Sequence, residues 1–179
     1  DTSQHDTDEV YFFECDEKSP KPRLIKKREL DFEYDVSYHP ESDSFFILTN
    51  KDKAVDYKIM KVSTKNPEVK NWETFLEHKP GRLILSLMII KGWLIRSVRD
   101  NFDEKIIATN LDTNEEHEIE FANEEGCSIG ASPAAVDYDS KGWIRVGFSS
   151  MKTEARVYDY NCKTKELVLK KKTNYPEWT

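Results

Sequence analysis

The sequence predicts an all-β fold, a partial β-propeller of about three and a half four-stranded antiparallel blades. Three observations predict it. Short segments with period-two alternation follow one another along most of the 179 residues. No segment makes a convincing amphipathic helix. Equivalent strands recur at a spacing near 50 residues, a length that suits one four-stranded blade.

The elements follow in order. Val10 to Phe13 and Arg23 to Ile25 read as two strands, separated by a Pro-containing charged turn at 16–22. Phe32 to Tyr38 alternates apolar and polar, Pro40 to Ser44 is a turn, and Phe45 to Leu48 is the next strand. Tyr57 to Val62 alternates again. Trp72 to Leu76 closes the group, although Asn71 to His78 also accommodates one helical turn. Leu83 to Ile90 is a continuous apolar run, as expected of a strand buried on both faces. Lys91-Gly92 makes a tight turn into Trp93 to Val98, followed by Lys105 to Leu111 and Glu116 to Phe121. Trp143 to Phe148, Ala155 to Tyr160 and Leu167 to Lys171 form a third set.

The repeat aligns Phe46, Leu94 and Ile144 on second strands, 48 and 50 residues apart. Lys58, Ile106 and Arg156 align on third strands at the same spacings, in pattern rather than identity. The expected organisation is a single partial propeller domain over 1–179. It comprises a half blade at 1–28, blades at 31–79, 82–122 and 126–172, and the start of a linker at 173–179. Blades bury their faces only by stacking, so a part-propeller exposes faces through which a homodimer could form. A large β-sandwich is the structural alternative.

Bulk composition narrows the function classes. With 27 Lys+Arg against 34 Asp+Glu the net charge is -7, which disfavours nucleic acid as a partner. The basic runs Lys26-Lys27-Arg28 and Lys170-Lys171-Lys172 read as solvated strand edges. Cys15, Cys127 and Cys162 are odd in number and widely spaced, which suits free thiols in a reducing compartment. The first residues do not resemble a signal peptide, and no apolar run is long enough to span a bilayer, so a soluble, cytoplasmic protein without membrane contact is expected.

Chemistry-bearing patterns are weak. Gly147-Phe148-Ser149-Ser150-Met151 and Gly130-Ala131-Ser132-Pro133-Ala134 both lack the final glycine of G-x-S-x-G. Asp137 to Ile144 imitates a calcium loop, but Lys141 stands where an oxygen ligand belongs and Phe148 replaces the closing Glu. His5, His39, His78 and His117 lack ligand spacing; His5 sits in a polar tail and the other three read as surface residues. Glu115-Glu116 and Glu124-Glu125 point their members to opposite strand faces. The reading therefore contains no catalytic residue, metal or cofactor. It leaves recognition: Arg96, Arg99 and Asp100 at the end of a middle strand, Arg145 on the equivalent strand of the next blade, and Ser149 and Ser150 in a turn. These are candidates for substrate gating or interdomain contact, since arginine pairs well with carboxylates of a partner domain or a peptide terminus.

Phe45 to Ser63, Asn71 to His78, Ala108 to Phe121 and Gly147 to Lys172 are collinear with a known pattern. Its strongest pieces are Leu48-Thr49-Asn50-Lys51, Asn71-Trp72-Glu73, and Phe148-Ser149-Ser150 before Val157-Tyr158-Asp159-Tyr160. Over most of 8–172 the sequence resembles the propeller of the prolyl oligopeptidase family, of the oligopeptidase B (protease II) type. The segment Gly126 to Val136 departs from it. The resemblance implies the C-terminal half of a seven-bladed N-terminal propeller that restricts access of short peptides to an α/β-hydrolase domain of the same polypeptide. The Ser–Asp–His triad of such serine peptidases lies in that second domain, so the resemblance implies no activity for this chain alone. A stand-alone protein-interaction scaffold is the alternative, and a propeller enzyme with converging acids is the least supported.

Overall fold

The computed structural model describes residues 9–16, 18–120, 127–134 and 138–173. His5, Phe121, Glu124, Glu125, Val136, Asp137 and residues 174–179 of the expected linker at 173–179 lie outside them. The chain forms two compact units, 1–80 and 81–179.

The first unit carries a two-stranded sheet, β1 (Tyr11–Phe12) with β2 (Arg23–Leu24). Beside it stands a four-stranded antiparallel sheet of β3 (Tyr34–His39), β4 (Ser44–Thr49), β5 (Lys58–Ser63) and β6 (Glu73–Leu76) in sequential order. The small sheet is held by packing: Val10, Phe12 and Ile25 lie against Tyr34, Phe45, Ile47 and Trp72. Phe12 meets Phe45 edge to face at 5.0 Å. The Tyr34 hydroxyl donates to the Lys26 carbonyl at 2.8 Å and accepts from the Val10 amide at 2.9 Å, so one buried ring ties both short strands.

The second unit contains two such sheets. One is β7 (Arg82–Ile90), β8 (Trp93–Asp100), β9 (Asp103–Asn110) and β10 (Glu116–Glu118). The other is β11 (Ser128–Pro133), β12 (Trp143–Ser149), β13 (Arg156–Asn161) and β14 (Leu167–Lys172). Ile95, Ile106 and Ala108 of the former interlock with Ile129, Ile144, Val146 and Phe148 of the latter. The fold is thus all-β, with three four-stranded blades and a two-stranded half blade among the described residues. Phe46, Leu94 and Ile144 all sit on second strands, each at most 1% exposed.

The residue that precedes each second strand recurs in conformation. Asp43, Gly92 and Gly142 adopt positive φ, and their carbonyls accept from the amides of Thr64, Leu111 and Cys162. Lys91-Gly92-Trp93 and Lys141-Gly142-Trp143 enter the second strand with identical residues. In the second unit the third hairpin repeats too. Asn110 Oδ1 accepts from the amides of Asp112 and Thr113, and Asn161 Oδ1 from those of Lys163 and Thr164, each an Asx turn.

Several expectations need correction. Leu83 to Ile90 is not buried on both faces: a bulge between Ile84 and Ser86 turns Leu85 outward to 38% exposure. Alternation over Phe32 to Tyr38 fails at its end, where Tyr38 is 49% exposed and His39 is buried. Trp72 precedes its strand, capping a 3-10 turn at Val69–Asn71. The histidines are not surface residues as a set: His39 bonds Ser42 and Glu41, and His117 and His78 are half-buried. Lys26 is no solvated strand edge, because its ammonium lies over the Phe32 ring at 4.1 Å and pairs with Glu29 at 2.8 Å.

Candidate functional site

The candidate residues lie on the two blades of the second unit, and strand geometry separates them. Arg99 and Asp100 end β8, while Ser149 ends β12 and Ser150 follows it. The two ends share one side of the unit. Ser128 pairs with Ser149, and the neighbouring Ile129 amide donates to Glu104 Oε2 at 3.3 Å across the blades. Glu104 also accepts from Arg99 at 2.8 Å. The opposite side is matched independently. There the Lys91 amide donates to the Tyr138 carbonyl, the Lys91 ammonium pairs with Asp139 at 2.8 Å, and the Trp93 indole nitrogen lies 3.8 Å from where a Cβ on Gly142 would stand. Equivalent hairpins of the two blades therefore form one rim.

Charges on that rim are largely committed within it. Arg82 Nε donates to Asp100 at 3.0 Å, and its Nη2 makes a second bond to the same carboxylate. The Arg99 hydrogen bond holds the Glu104 carboxyl below its ordinary range, with the Ile129 amide adding to the effect against the cost of burial. Ser149 lies in the strand ladder. The Ser150 hydroxyl accepts from the amides of Lys152 at 3.1 Å and Thr153 at 2.9 Å, closing a turn. Among the described residues neither serine has a helix behind it, so neither occupies a nucleophile elbow.

Arg96 and Arg145 lie elsewhere. Arg96 is mid-strand and 3% exposed, donating to Thr109 Oγ1 at 2.8 Å and to both oxygens of Glu116 at 2.9 and 2.8 Å. That fork depresses the Glu116 pKa, chiefly through the Arg96 hydrogen bonds. Arg145 sits opposite Asp159 on neighbouring strands and donates through Nε at 2.9 Å. The pair raises the Arg145 pKa and lowers that of Asp159. Ile144, Val146 and Phe148 point into the core, so Arg145 stands on the blade face turned from it.

Two features escaped the sequence reading. Phe102 and Met151, at the tips of the rim hairpins, are 93% and 100% exposed. In the first unit a groove of about 650 Å³ opens beside β1, lined in part by Phe12, Phe13, Arg23, Tyr38, Phe45 and Lys65. It contains none of the candidate residues. Among the described residues no group of three or more His, Cys, Asp or Glu could hold a metal ion. Within the described part of the calcium-like segment, Asp139 is paired with Lys91. Among those residues no helix is long and apolar enough to cross a membrane.

Comparison with known proteins fits this architecture. The family model for the prolyl oligopeptidase N-terminal β-propeller domain matches residues 1–173. Dipeptidyl aminopeptidase BI of Pseudoxanthomonas mexicana is 27% identical over 143 residues, 80% of this chain and 19% of that protein. Oligopeptidase B from Leishmania major superposes with a TM-score of 0.82 at 18% identity, covering 94% of this chain and 24% of its own. The closed form of oligopeptidase B from Trypanosoma brucei, with covalently bound antipain, gives 0.82 at 22% identity, covering 94% and 24%. Prolyl oligopeptidase B from Galerina marginata gives 0.74 at 14% identity, covering 100% and 25%. The chain thus spans about a fifth to a quarter of the length of these proteins.

Proposed function

The chain belongs to the prolyl oligopeptidase family, as N-terminal β-propeller domain, and from that membership we propose that it is the non-catalytic propeller portion of a serine peptidase of the oligopeptidase B type. In this reading it corresponds to the C-terminal half of the propeller, with a half blade at 1–28 and blades at 31–79, 82–122 and 126–172. It gates the access of short peptides to an α/β-hydrolase domain of the same polypeptide and docks on that domain.

The observation that carries the proposal is the family match over 1–173 in a chain about a quarter as long as its structural neighbours. The described structure adds a physical reason. The two blades of the second unit share one apolar core and pair most of their charges internally, and an opening through a wall of such blades excludes bulky substrates by size rather than by chemistry. The roles of Arg99, Asp100, Ser149 and Ser150 follow: they fix hairpins whose tips face outward. Arg96 and Arg145 stiffen blades. The protein's place in the cytoplasm belongs to the same proposal.

The test uses the full-length polypeptide with short fluorogenic peptides and with casein, a long unstructured substrate. Cleavage of the short peptides with casein left intact is the expected result. Comparable turnover of both would refute the gate.

A further inference from the structure

We propose that Phe102 and Met151 are the apolar anchors by which this rim docks on the hydrolase domain of the same polypeptide. The inference rests on the gating reading and deepens it by assigning which end of the blades faces that domain.

Phe102 occupies a two-residue hairpin turn, since Asp100 and Asp103 are paired and Asn101 takes positive φ. Such turns favour Asn, Asp and Gly, and a large ring there gains nothing inside the fold. Met151 occupies the equivalent connection of the next blade, between β12 and β13, and its turn is fixed by the two amide bonds to Ser150 Oγ. Single exposed apolar side chains are ordinary. Recurrence at equivalent tips of adjacent blades, at 93% and 100% exposure, is not. The same connection in the first unit, between β4 and β5, carries Val55 at 74% exposure.

The surrounding charges narrow the partner. Arg82 with Asp100, Arg99 with Glu104, and Arg156 and Lys172 with Glu154 are paired within the unit. Asp103 and Lys152, beside the two tips, are also exposed, so the rim offers outward apolar contact on rigid turns edged by one charge of each sign, which suits a protein surface better than an anionic polymer or lipid. Two side chains bury far less than the roughly 1,200 Å² that a stable complex of separate molecules needs. A tethered partner removes that requirement, because linkage supplies an effective concentration on the order of millimolar. Structural neighbours about four times as long as this chain place most of such a polypeptide outside it.

The test places photoreactive p-benzoylphenylalanine in the full-length polypeptide at position 102 or 151, or at 112 or 163 in the hairpins at the opposite ends of the blades. Hydrolysis of a short peptide checks that each variant is folded. Irradiation followed by mass spectrometry is expected to join 102 and 151 to the hydrolase domain, and 112 and 163 to none of it. Crosslinks from 112 and 163 equal to or exceeding those from 102 and 151 would overturn the rim assignment while leaving gating intact. Crosslinks from 102 or 151 to a second copy would also overturn it. Absence of interdomain crosslinks from all four positions in an active protein would defeat docking itself, and this inference with it.

Discussion

Truncating Glu116 should destabilise the chain more than replacing Arg96, although Arg96 is the more buried partner. The two are joined by a bidentate pair at 2.9 and 2.8 Å, with Arg96 at 3% exposure and the Glu116 side chain at 40%. Glu116→Ala leaves a guanidinium inside the blade with Thr109 Oγ1 as its remaining side-chain partner among these groups. Breaking a fully buried pair this way costs about 3–5 kcal/mol. Solvent reaches the Glu116 side of this pair, so the expected cost falls to about 2 kcal/mol. Arg96→Met fills the same volume with an apolar side chain and releases a carboxylate that water can solvate, at about 0–1 kcal/mol. The double variant should then be more stable than Glu116→Ala alone. Urea unfolding followed by tryptophan fluorescence reads all three, with an unchanged m-value confirming a common transition. Because the Glu116 pKa is depressed in the fold, its contribution is present above the ordinary carboxylate range and is lost as pH falls through the folded value. The gap between wild type and Glu116→Ala should therefore narrow in acid. A cost for Arg96→Met equal to or above that of Glu116→Ala would refute this reasoning.

Other positions give sharper contrasts. Gly142→Ala should cost about 1 kcal/mol through its φ of +84°, since an added Cβ meets only ordinary contacts at 3.6–3.8 Å. Gly147→Ala, in extended backbone with open space at its Cβ, should be neutral in the same urea unfolding, and an equal loss at both would contradict the strain argument. The His117 imidazole pKa is held below its ordinary value by burial first and Lys165 second, while the ring bonds the Tyr160 hydroxyl across the blades at 3.0 Å. Its depressed pKa means that stability should fall as pH drops below about 6.5, and His117→Gln should flatten that slope in urea titrations at pH 5 to 8. Burial pushes the Cys162 thiol up to about 12. Ellman's reagent at pH 8 should therefore label exposed Cys15 in the native protein and reach Cys162 only after unfolding; equal native rates would contradict this.

Much of the fold was legible because strand burial has a period of two and blades have a period near 50. Phe46, Leu94 and Ile144 were placed together by spacing alone, and each proves fully buried on a second strand. The repeat was also written in identities that spacing passed over: Lys-Gly-Trp at 91–93 and 141–143, and Asn-x-x-Thr-x-Glu from Asn110 and from Asn161. Those residues recur because positive φ needs glycine and the Asx turn needs asparagine. The site was less legible. Arg96 and Glu116 are 20 residues apart and meet only through the register of three strands. The bulge at Ile84–Ser86 that exposes Leu85 has no glycine to announce it. Arg99 and Ser150 lie at and just past strand ends, where an ion pair with Glu104 and two turn bonds engage their polar groups, and the exposed groups beside them include the apolar Phe102 and Met151.

The central claim is that this propeller portion carries no catalysis of its own. Hydrolysis of fluorogenic peptides with basic residues, by the purified 179-residue chain and by the full-length polypeptide, tests it most directly. Activity in the full-length protein with none in the chain is the predicted result. Reproducible cleavage by the chain itself, abolished by Ser149→Ala or Ser132→Ala, would contradict the account.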